Sequence, residues 1–236
     1  MRAAALVLIM QPDTIFYQRT DMDWNFDTLE NAKRYKLLVS LVVPRPIALV
    51  TTLGAPGSEG AGVVNAAPFS FFNVIADEPP IVIISIENRD SGPLKDSSRN
   101  MLASGEFVVN LVDESIAERM HACSTDFPPG VSEPEMVGFT LAPSTQVAPP
   151  RLVEAPASLE CTLYQKIEMP TRNIIIGQVR HLHVRDELVD PDTFRVHIDK
   201  YHPVGRLFAN RYCRISDQFE LTNNSYLEQR RKAGKV

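Results

Sequence analysis

The chain has 236 residues, of which 44% are hydrophobic and 22% are charged. This composition is typical of a globular protein with one sizeable core, and it excludes a disordered or collagen-like chain. The 24 basic and 29 acidic residues give a net charge of −5. No strong positive field is available to attract a phosphate backbone, so nucleic acid is not expected as a partner.

The cysteines and the N-terminal residues bear on the location of the protein. Cys123, Cys161 and Cys213 lie far apart and form no CxxC pair, so neither a disulfide framework nor a common zinc pattern is indicated. The apolar run from Ala3 to Met10 is shorter than the roughly 20 residues that span a bilayer, and no A-x-A cleavage site follows it. We therefore expect a cytoplasmic protein without membrane association. Translation could start at the first methionine or at Met10.

The first predicted element is a helix that follows a polar arm. Residues 27–30, Asp-Thr-Leu-Glu, place an acceptor side chain three residues before a glutamate, which is typical of a capping box. Apolar residues then recur at three- and four-residue spacings as far as Val42. Pro44 and Pro46 end the helix.

Six runs rich in β-branched and apolar residues, bounded by turn residues, predict strands. They cover residues 47–53, 62–67, 80–87, 106–111, 158–168 and 173–184. The first two runs flank a glycine-rich linker and predict a hairpin. This linker, residues 54–60, matches neither the Walker A motif nor the dinucleotide fingerprint, so we interpret it as a turn.

Helices are predicted at residues 95–104, 113–123 and 191–199, and the proline-rich residues 124–150 are expected to form irregular loop. Because the strands do not alternate with long helices, the pattern favours a mainly β barrel or sandwich with peripheral α-helices over a doubly wound parallel sheet. The expected organisation is one domain between an extension and a basic tail. The three parts are residues 1–27, 28–222 and 223–236.

Residues 90–100 bring hydroxyls, a lysine and an arginine to a predicted helix N-terminus. The unpaired amides and the dipole of such a helix end favour an anion. Lys95 adds a positive charge and Ser97 a hydroxyl donor, so a phosphate group would suit this segment. The alternative is simple helix capping by Asp96 or Ser97.

Two other segments suit a ligand. In Pro44-Arg45-Pro46 and the following Thr51-Thr52, an arginine and paired hydroxyls flank an apolar strand, although β propensity and solvent exposure also explain them. In residues 65–73, NAAPFSFFN, aromatic rings stand beside small residues and amides. A flat aromatic ligand would suit this segment, and core packing of the phenylalanines is the alternative.

Other chemistry has less support in the sequence. His181 and His183 share a strand face, but no third metal ligand is evident. Cys123 and His121 are two residues apart on a predicted helix and therefore do not face each other. The motifs GxSxG, HExxH and GxxxxGK[ST] do not occur, which removes the common hydrolase, zinc protease and P-loop interpretations.

Five segments together resemble the flavin reductase-like family with the FMN-binding split β-barrel fold. Their order and spacing are more specific than any one of them, and the resemblance covers roughly residues 35–215. The segments are PRPIALVTT (44–52), NAAPFSFFN (65–73), PPIVIISIE (79–87), LKDSSRN (94–100) and EFVVNL (106–111). The resemblance implies a six-stranded split barrel of the Greek-key type and a homodimer with FMN near the subunit interface.

The resemblance also implies roles for individual residues. Thr51 and Thr52, with Lys95 and Ser97, would hold the phosphate and ribityl chain, although the family usually has threonine where this chain has Ser97. The residues expected to face the isoalloxazine are Ser70, Phe71 and Asn73. The predicted cofactor site is completed by Arg45, Asn65, Asp96 and, in a looser match before Tyr212, Arg206.

The function implied is an FMN-binding oxidoreductase that takes electrons from NADH or NADPH and passes them to flavin, a protein or another acceptor. The chemistry resides on the flavin, so no catalytic dyad of the protein is required. A non-catalytic FMN carrier, or an electron-transfer protein similar to flavoredoxin, would carry the same motifs. A third possibility is an interaction domain that has lost its cofactor, against which the retained Thr51, Thr52, Lys95 and Ser97 argue.

Overall fold

The computed structural model describes residues 7–11, 14–18, 22–58, 60–89, 94–128, 130–222 and 225–233. By their contacts the residues group into two units, Met1–Val42 and Val43–Val236. The division therefore falls after the first predicted helix, later than the expected boundary after Asp27. The first residues of the predicted anion-binding segment, 90–93, lie outside the described residues.

The first unit contains a hairpin and a helix. Strands β1 (Val7–Gln11) and β2 (Thr14–Gln18) pair antiparallel, and helix α1 spans Asn31–Leu41. The predicted helix is present, but the predicted capping box is not. Glu30 is the N-cap residue and makes no side-chain cap, because Asn25 instead organises a turn through the amides of Asp27 and Thr28.

The second unit is built on antiparallel strands with short helices between them. In chain order its elements are β3 (Ala48–Leu53), β4 (Val64–Phe69), β5 (Phe72–Asp77), β6 (Pro80–Glu87), α2 (Asp96–Ser104), β7 (Glu106–Leu111), a 3-10 turn (Glu114–Ile116), α3 (Ala117–Ala122), α4 (Glu133–Met136), β8 (Leu141–Ala142), β9 (Arg151–Leu152), β10 (Ala157–Met169), β11 (Arg172–Val184), a second 3-10 turn (Asp186–Leu188), β12 (Val204–Arg206), β13 (Tyr212–Arg214) and α5 (Tyr226–Lys232).

Seven of these strands form one sheet in the order β4-β3-β7-β10-β11-β6-β5. The two end strands of this order, β4 and β5, are separated in the chain by only Ser70 and Phe71. The two ends of the sheet must therefore meet, and the sheet curls back on itself. Among the described residues β4 pairs with β3 alone, so its other edge is open to partners from outside the sheet.

The curled sheet packs on both faces. Alternate residues of β3 enter different cores, since neighbouring side chains of a strand point to opposite faces. Ala48 and Val50 pack with Phe107 inside the sheet, and Leu49 packs with Ile116 and neighbours on the outer side. The interior is tight: a Cβ built on Gly177 of β11 would lie 2.3 Å from the Phe107 ring.

Most predicted elements are confirmed. All six strand runs are strands, the hairpin of β3 and β4 is present, and residues 124–150 are largely irregular. The helix predicted at residues 191–199 is wrong, because this segment turns back and forms a bridge between Val189 and Val196. β5 was missed, since only Phe72 of its six residues is buried and no alternation marks it. Among the described residues no helix combines the length and apolarity needed to cross a membrane.

One buried side chain ties the sheet to the segments packed outside it. Asn110 of β7 is fully buried, and its amide nitrogen donates to the Leu49 carbonyl (3.0 Å) and to Thr51 Oγ1 (3.2 Å). Its amide oxygen accepts from the Leu152 amide (2.9 Å) and from Ser158 Oγ (2.8 Å). Asn110 therefore links β3, β9 and β10 to β7 through four hydrogen bonds.

We expect Asn110→Ala to lower the free energy of unfolding by about 2–4 kcal/mol, because four buried groups lose their partner. Urea denaturation followed by circular dichroism measures this. The control is Asn73→Ala, at an exposed residue whose side chain accepts only from the next amide along the chain; it should change stability by less than about 0.5 kcal/mol. Equal losses in the two variants would contradict the assignment.

Candidate functional site

A groove of about 650 Å³ lies along the open edge of β4. Its walls are β4, the end of β6, the N-terminus of α2 and the residues that follow α3. The volume falls within the range of about 300–1,000 Å³ that is typical of small-molecule sites. Four of the predicted cofactor residues line this groove: Asn65, Lys95, Asp96 and Ser97.

The N-terminus of α2 gives the groove an anion-binding end. This nine-residue helix begins after Lys95, which is extended and makes no side-chain cap, so the first-turn amides keep their donor capacity. The positive end of the helix dipole adds to this. Lys95 is exposed and, within the described part of the chain, makes no ion pair.

A hydrogen-bonded chain crosses the floor of the groove. Asn65 contacts Ser97 Oγ at 3.0 Å, and Glu133 Oε2 accepts from the Ala66 amide at 3.0 Å. The orientation of the Asn65 carboxamide that satisfies both of its ends directs the nitrogen to Glu133 Oε1 (3.2 Å) and the oxygen to the Ser97 hydroxyl. Ser97 and Asn65 are buried, and Glu133 is half-buried.

Burial changes the acidity of two groups in the groove. It raises the pKa of Glu133 above its ordinary value, and the nearby Asp96 carboxylate adds to the shift, whereas backbone hydrogen bonds, including that of Ala66, oppose it. Burial also raises the pKa of the Cys123 thiol to about 12, and Glu133 contributes. Cys123 is therefore a protonated, packed thiol and a poor nucleophile.

Arg89 faces Asp96 and Asp126 in the groove. Its guanidinium lies 3.0 Å from Asp96 and 3.6 Å from Asp126, and Asp96 also pairs with Arg99. The carboxylate of Asp96, one of the predicted cofactor residues, thus pairs with two arginines. Arg89 and Glu133 were not predicted from the sequence. Arg89 directly precedes the anion-binding segment, which is a usable signal, whereas nothing local marks Glu133.

The two threonines lie apart from the groove surface. Both are fully buried, and as neighbours on β3 they point to opposite faces. Thr51 Oγ1 donates to the Pro150 carbonyl at 2.6 Å. Thr52 Oγ1 accepts from Asn100 of α2 at 3.1 Å. In this arrangement neither hydroxyl reaches a ligand in the groove, and Thr52 instead anchors α2.

A second cluster of predicted residues forms where β4 meets β5. Arg45 is buried, because its backbone pairs with that of Arg206. Solvent exposure, which the sequence left open as an explanation of Arg45, is therefore wrong. Its guanidinium lies 3.5 Å from Ser70 Oγ and 5.9 Å from the Phe71 ring centroid. Arg172 stacks on the same ring at 4.8 Å. We call the side chains of Arg45, Ser70, Phe71 and Arg172 the arginine cluster.

The arginine cluster adjoins the groove, since Arg172 pairs at 3.4 Å with Glu87 in the groove wall. The Arg206 side chain turns elsewhere and donates to the hydroxyl of Tyr212, which contacts His121 Nδ1 at 3.0 Å. Asn73 is exposed on β5. The structure therefore brings four predicted residues into the groove, places three in the adjoining cluster, and leaves Thr51, Thr52, Asn73 and Arg206 outside both.

The histidine pair is used structurally. His183 Nε2 lies 2.6 Å from the buried Glu160, whose carboxylate also accepts from the amides of Thr145 and Gln146. Among the described residues no group of three or more His, Cys, Asp or Glu side chains is placed to hold a metal ion. The groove is thus the strongest candidate site, with cations and amides for an anionic group at one end.

Comparisons with known proteins identify the family and the fold. The family described as "Flavin reductase like domain" matches residues 40–216. A 2-nitrobenzoate 2-nitroreductase of Pseudomonas fluorescens is 40% identical and superposes with a TM-score of 0.77, over 87% of this chain and 98% of that one. Component B of nitrilotriacetate monooxygenase from Bacillus cereus is 33% identical with a TM-score of 0.80, over 86% of this chain and all of that one.

The fold is confirmed by a more distant structure. A putative flavin reductase from Shewanella frigidimarina, described as having a split barrel domain, superposes with a TM-score of 0.71 at 20% identity, over 86% of this chain and all of that one. The curled sheet is therefore a split barrel, as the sequence resemblance implied, but it has seven strands where six were expected, because the missed strand β5 pairs with β6.

Proposed function

We propose that this protein, which belongs to the flavin reductase like domain family, binds FMN in the groove and transfers electrons from NADH or NADPH to a second flavin or another small acceptor. The observation that carries the proposal is the uncapped N-terminus of α2, where Lys95 and Ser97 open onto a groove of cofactor size. The family match supplies the class of chemistry.

The residues of the groove fit a phosphorylated flavin. The first-turn amides of α2, the Lys95 ammonium and the Ser97 hydroxyl are the donors that a phosphate group requires. Arg89 lies in the same groove and can exchange one of its carboxylate partners for a phosphate oxygen. Asn65 and the apolar surface of Phe69 continue along the wall and suit a ribityl chain and a planar ring.

The bound flavin supplies the hydride and electron chemistry. The chain holds the phosphate end with Lys95, Ser97 and Arg89, and the groove walls restrict water at the ring. Ser70 and Phe71, which Arg45 and Arg172 contact next to the groove wall, are proposed to contact the ring edge. The positive charge of the two arginines would stabilise a reduced anionic ring.

The test of this function is anaerobic reduction of the protein loaded with FMN. Purified protein is mixed with FMN, excess flavin is removed by gel filtration, and the visible spectrum is recorded before and after NADH or NADPH is added. We expect the flavin absorbance to be retained through filtration and then bleached by at least one nucleotide. Retention without bleaching by either would favour the FMN carrier, and absence of retained flavin would contradict the site.

A second acceptor class has specific support. The relative that is 40% identical is described as a 2-nitrobenzoate 2-nitroreductase, and here an aromatic carboxylate could be met by the arginine cluster. The same assay distinguishes the acceptors, because the reduced protein can be mixed with 2-nitrobenzoate or with free FMN. Reoxidation by 2-nitrobenzoate, with consumption of that compound, would support direct nitroreduction.

We expect Lys95→Ala to weaken FMN binding by about 1–3 kcal/mol, the range for loss of a charge-assisted hydrogen bond. Lys95 is exposed, so the fold should be unaffected. Binding is measured by quenching of flavin fluorescence. The matched control is Lys33→Ala, at an exposed lysine of α1 that pairs with Glu30. Equal affinities of the two variants would remove Lys95 from the site.

A homodimer is proposed as the working form. Large apolar side chains are exposed on β5 and on the distal half of β10, namely Val74, Ile75, Tyr164, Ile167 and Met169. Exposed apolar surface of this kind marks interaction sites. Sedimentation velocity of the FMN-loaded protein should give a dimer, and Ile75→Lys should shift it towards monomer. A flavin-loaded monomer of the unmodified protein would contradict the proposal.

A further inference from the structure

The floor of the groove contains a carboxyl group that the electron-transfer function does not use. Glu133 is connected to Ser97, at the proposed phosphate end, through the single side chain of Asn65. The contacts are 3.2 Å from Glu133 Oε1 to Asn65 and 3.0 Å from Asn65 to Ser97 Oγ. Glu133 Oε2 is fixed by the Ala66 amide at 3.0 Å. Oε1 is therefore the oxygen free to change its protonation.

The direction of the hydrogen bonds in this chain depends on the Glu133 proton. When Glu133 is ionised it can only accept, so the Asn65 nitrogen donates to it and the Asn65 oxygen accepts a hydrogen bond from the Ser97 hydroxyl. When Glu133 is protonated it donates to the Asn65 oxygen. The Asn65 nitrogen then donates to Ser97 Oγ, which is the other orientation at the same 3.0 Å contact. In this second state the Ser97 hydroxyl accepts from Asn65, so its O–H is directed away from Asn65 and is available to donate to a ligand.

We propose that FMN binding is coupled to protonation of Glu133, which reverses the Asn65 carboxamide and releases the Ser97 hydroxyl to donate to the flavin phosphate. This inference rests on the proposed FMN site. It makes Glu133 a positioning residue that acts on the phosphate through Asn65 and Ser97, and it makes FMN affinity dependent on pH.

Among the charges around Glu133, the Asp96 carboxylate favours the protonated form. From α2 it faces Asp96, whose charge is shared by Arg89 and Arg99, and Lys95 stands at the start of that helix. From the segment after α3 the Cys123 thiol interacts with it and Asp126 lines the same groove, and on its own helix Glu135 is exposed. The facing residues of β4, Asn65 and Ala66, are uncharged. Within the described residues no cation pairs with Glu133.

Burial and Asp96 already raise the pKa of Glu133 in the ligand-free protein. A phosphate anion at the N-terminus of α2 adds a further negative charge and favours the protonated form more strongly. The pKa of Glu133 is then higher in the FMN-bound protein than in the free protein. At a pH between these two pKa values, a proton is taken up when FMN binds. Affinity is highest below this window and falls as the pH rises through it.

The experiment compares FMN affinity of the unmodified protein with that of Glu133→Gln between pH 5 and pH 8, by flavin fluorescence quenching. Glutamine keeps the acceptor for Ala66 and permanently donates to Asn65, so it copies the protonated state. The dissociation constant of the unmodified protein divided by that of Glu133→Gln should rise with pH, by up to about ten-fold per pH unit. Taking the ratio cancels ionisation of the FMN phosphate itself, which titrates near pH 6.

A second readout counts the proton directly. Isothermal titration of FMN into the protein, in two buffers of different ionisation enthalpy at one pH, gives the protons taken up. Uptake should be substantial in the unmodified protein and in Glu135→Gln, the exposed neighbour on the same helix, and should be reduced in Glu133→Gln. Ser97→Ala should flatten the pH dependence of affinity, and it serves as the test if Glu133→Gln fails to fold.

The outcomes of these experiments distinguish failure of the coupling from failure of the proposed FMN site. If FMN binds and the unmodified protein and Glu133→Gln show the same pH dependence and proton uptake, the coupling is overturned while the FMN site stands. If neither protein binds FMN at any pH, the proposed function is what fails. At pH 8, tighter FMN binding by Glu133→Gln than by the unmodified protein supports the coupling.

Discussion

The open edge of β4 is the constraint on which the site depends. β4 pairs with β3 on one side only, so its outward amides require partners from elsewhere in the chain, as at any sheet edge. Glu133 satisfies the Ala66 amide, and the Asn65 side chain reaches Ser97 of α2. The helix and the loop are thereby held on either side of the strand without covering it. The space left between them is the groove.

Buried hydrogen bonds of β3 fix the positions of α2 and of the segment before β9. Thr52 holds α2 through Asn100, and Thr51 holds the segment before β9 through the Pro150 carbonyl. A pair of hydroxyls at a strand end suggested direct ligand contact in the sequence. In the structure both hydroxyls are fully buried and are hydrogen-bonded within the chain, as buried polar groups generally are. Thr52 thereby fixes the position of α2, which forms one wall of the groove.

What could be predicted from the sequence depends on how far apart in the chain the contacting residues lie. The positions of Lys95 and Ser97 at a helix start could be predicted because a helix start and its donors are adjacent in the chain. The strands could be predicted from local composition. Burial of Arg45 could not be predicted, since it depends on pairing with Arg206, far away in the chain. Glu133 lies in a proline-rich segment without periodicity, and its role appears only when that segment packs on β4.

The charges of the groove explain why a proton matters there. Its lining carries four acidic residues, Glu87, Asp96, Asp126 and Glu133, against two basic ones, Arg89 and Lys95. A phosphate dianion entering this set meets an excess of like charge, even with the helix dipole in its favour. Arg172 offsets Glu87, and Arg89 offsets Asp96 and Asp126. Glu133 alone among the four has no cationic partner in the described residues, so neutralising it by protonation is the remaining way to reduce the repulsion.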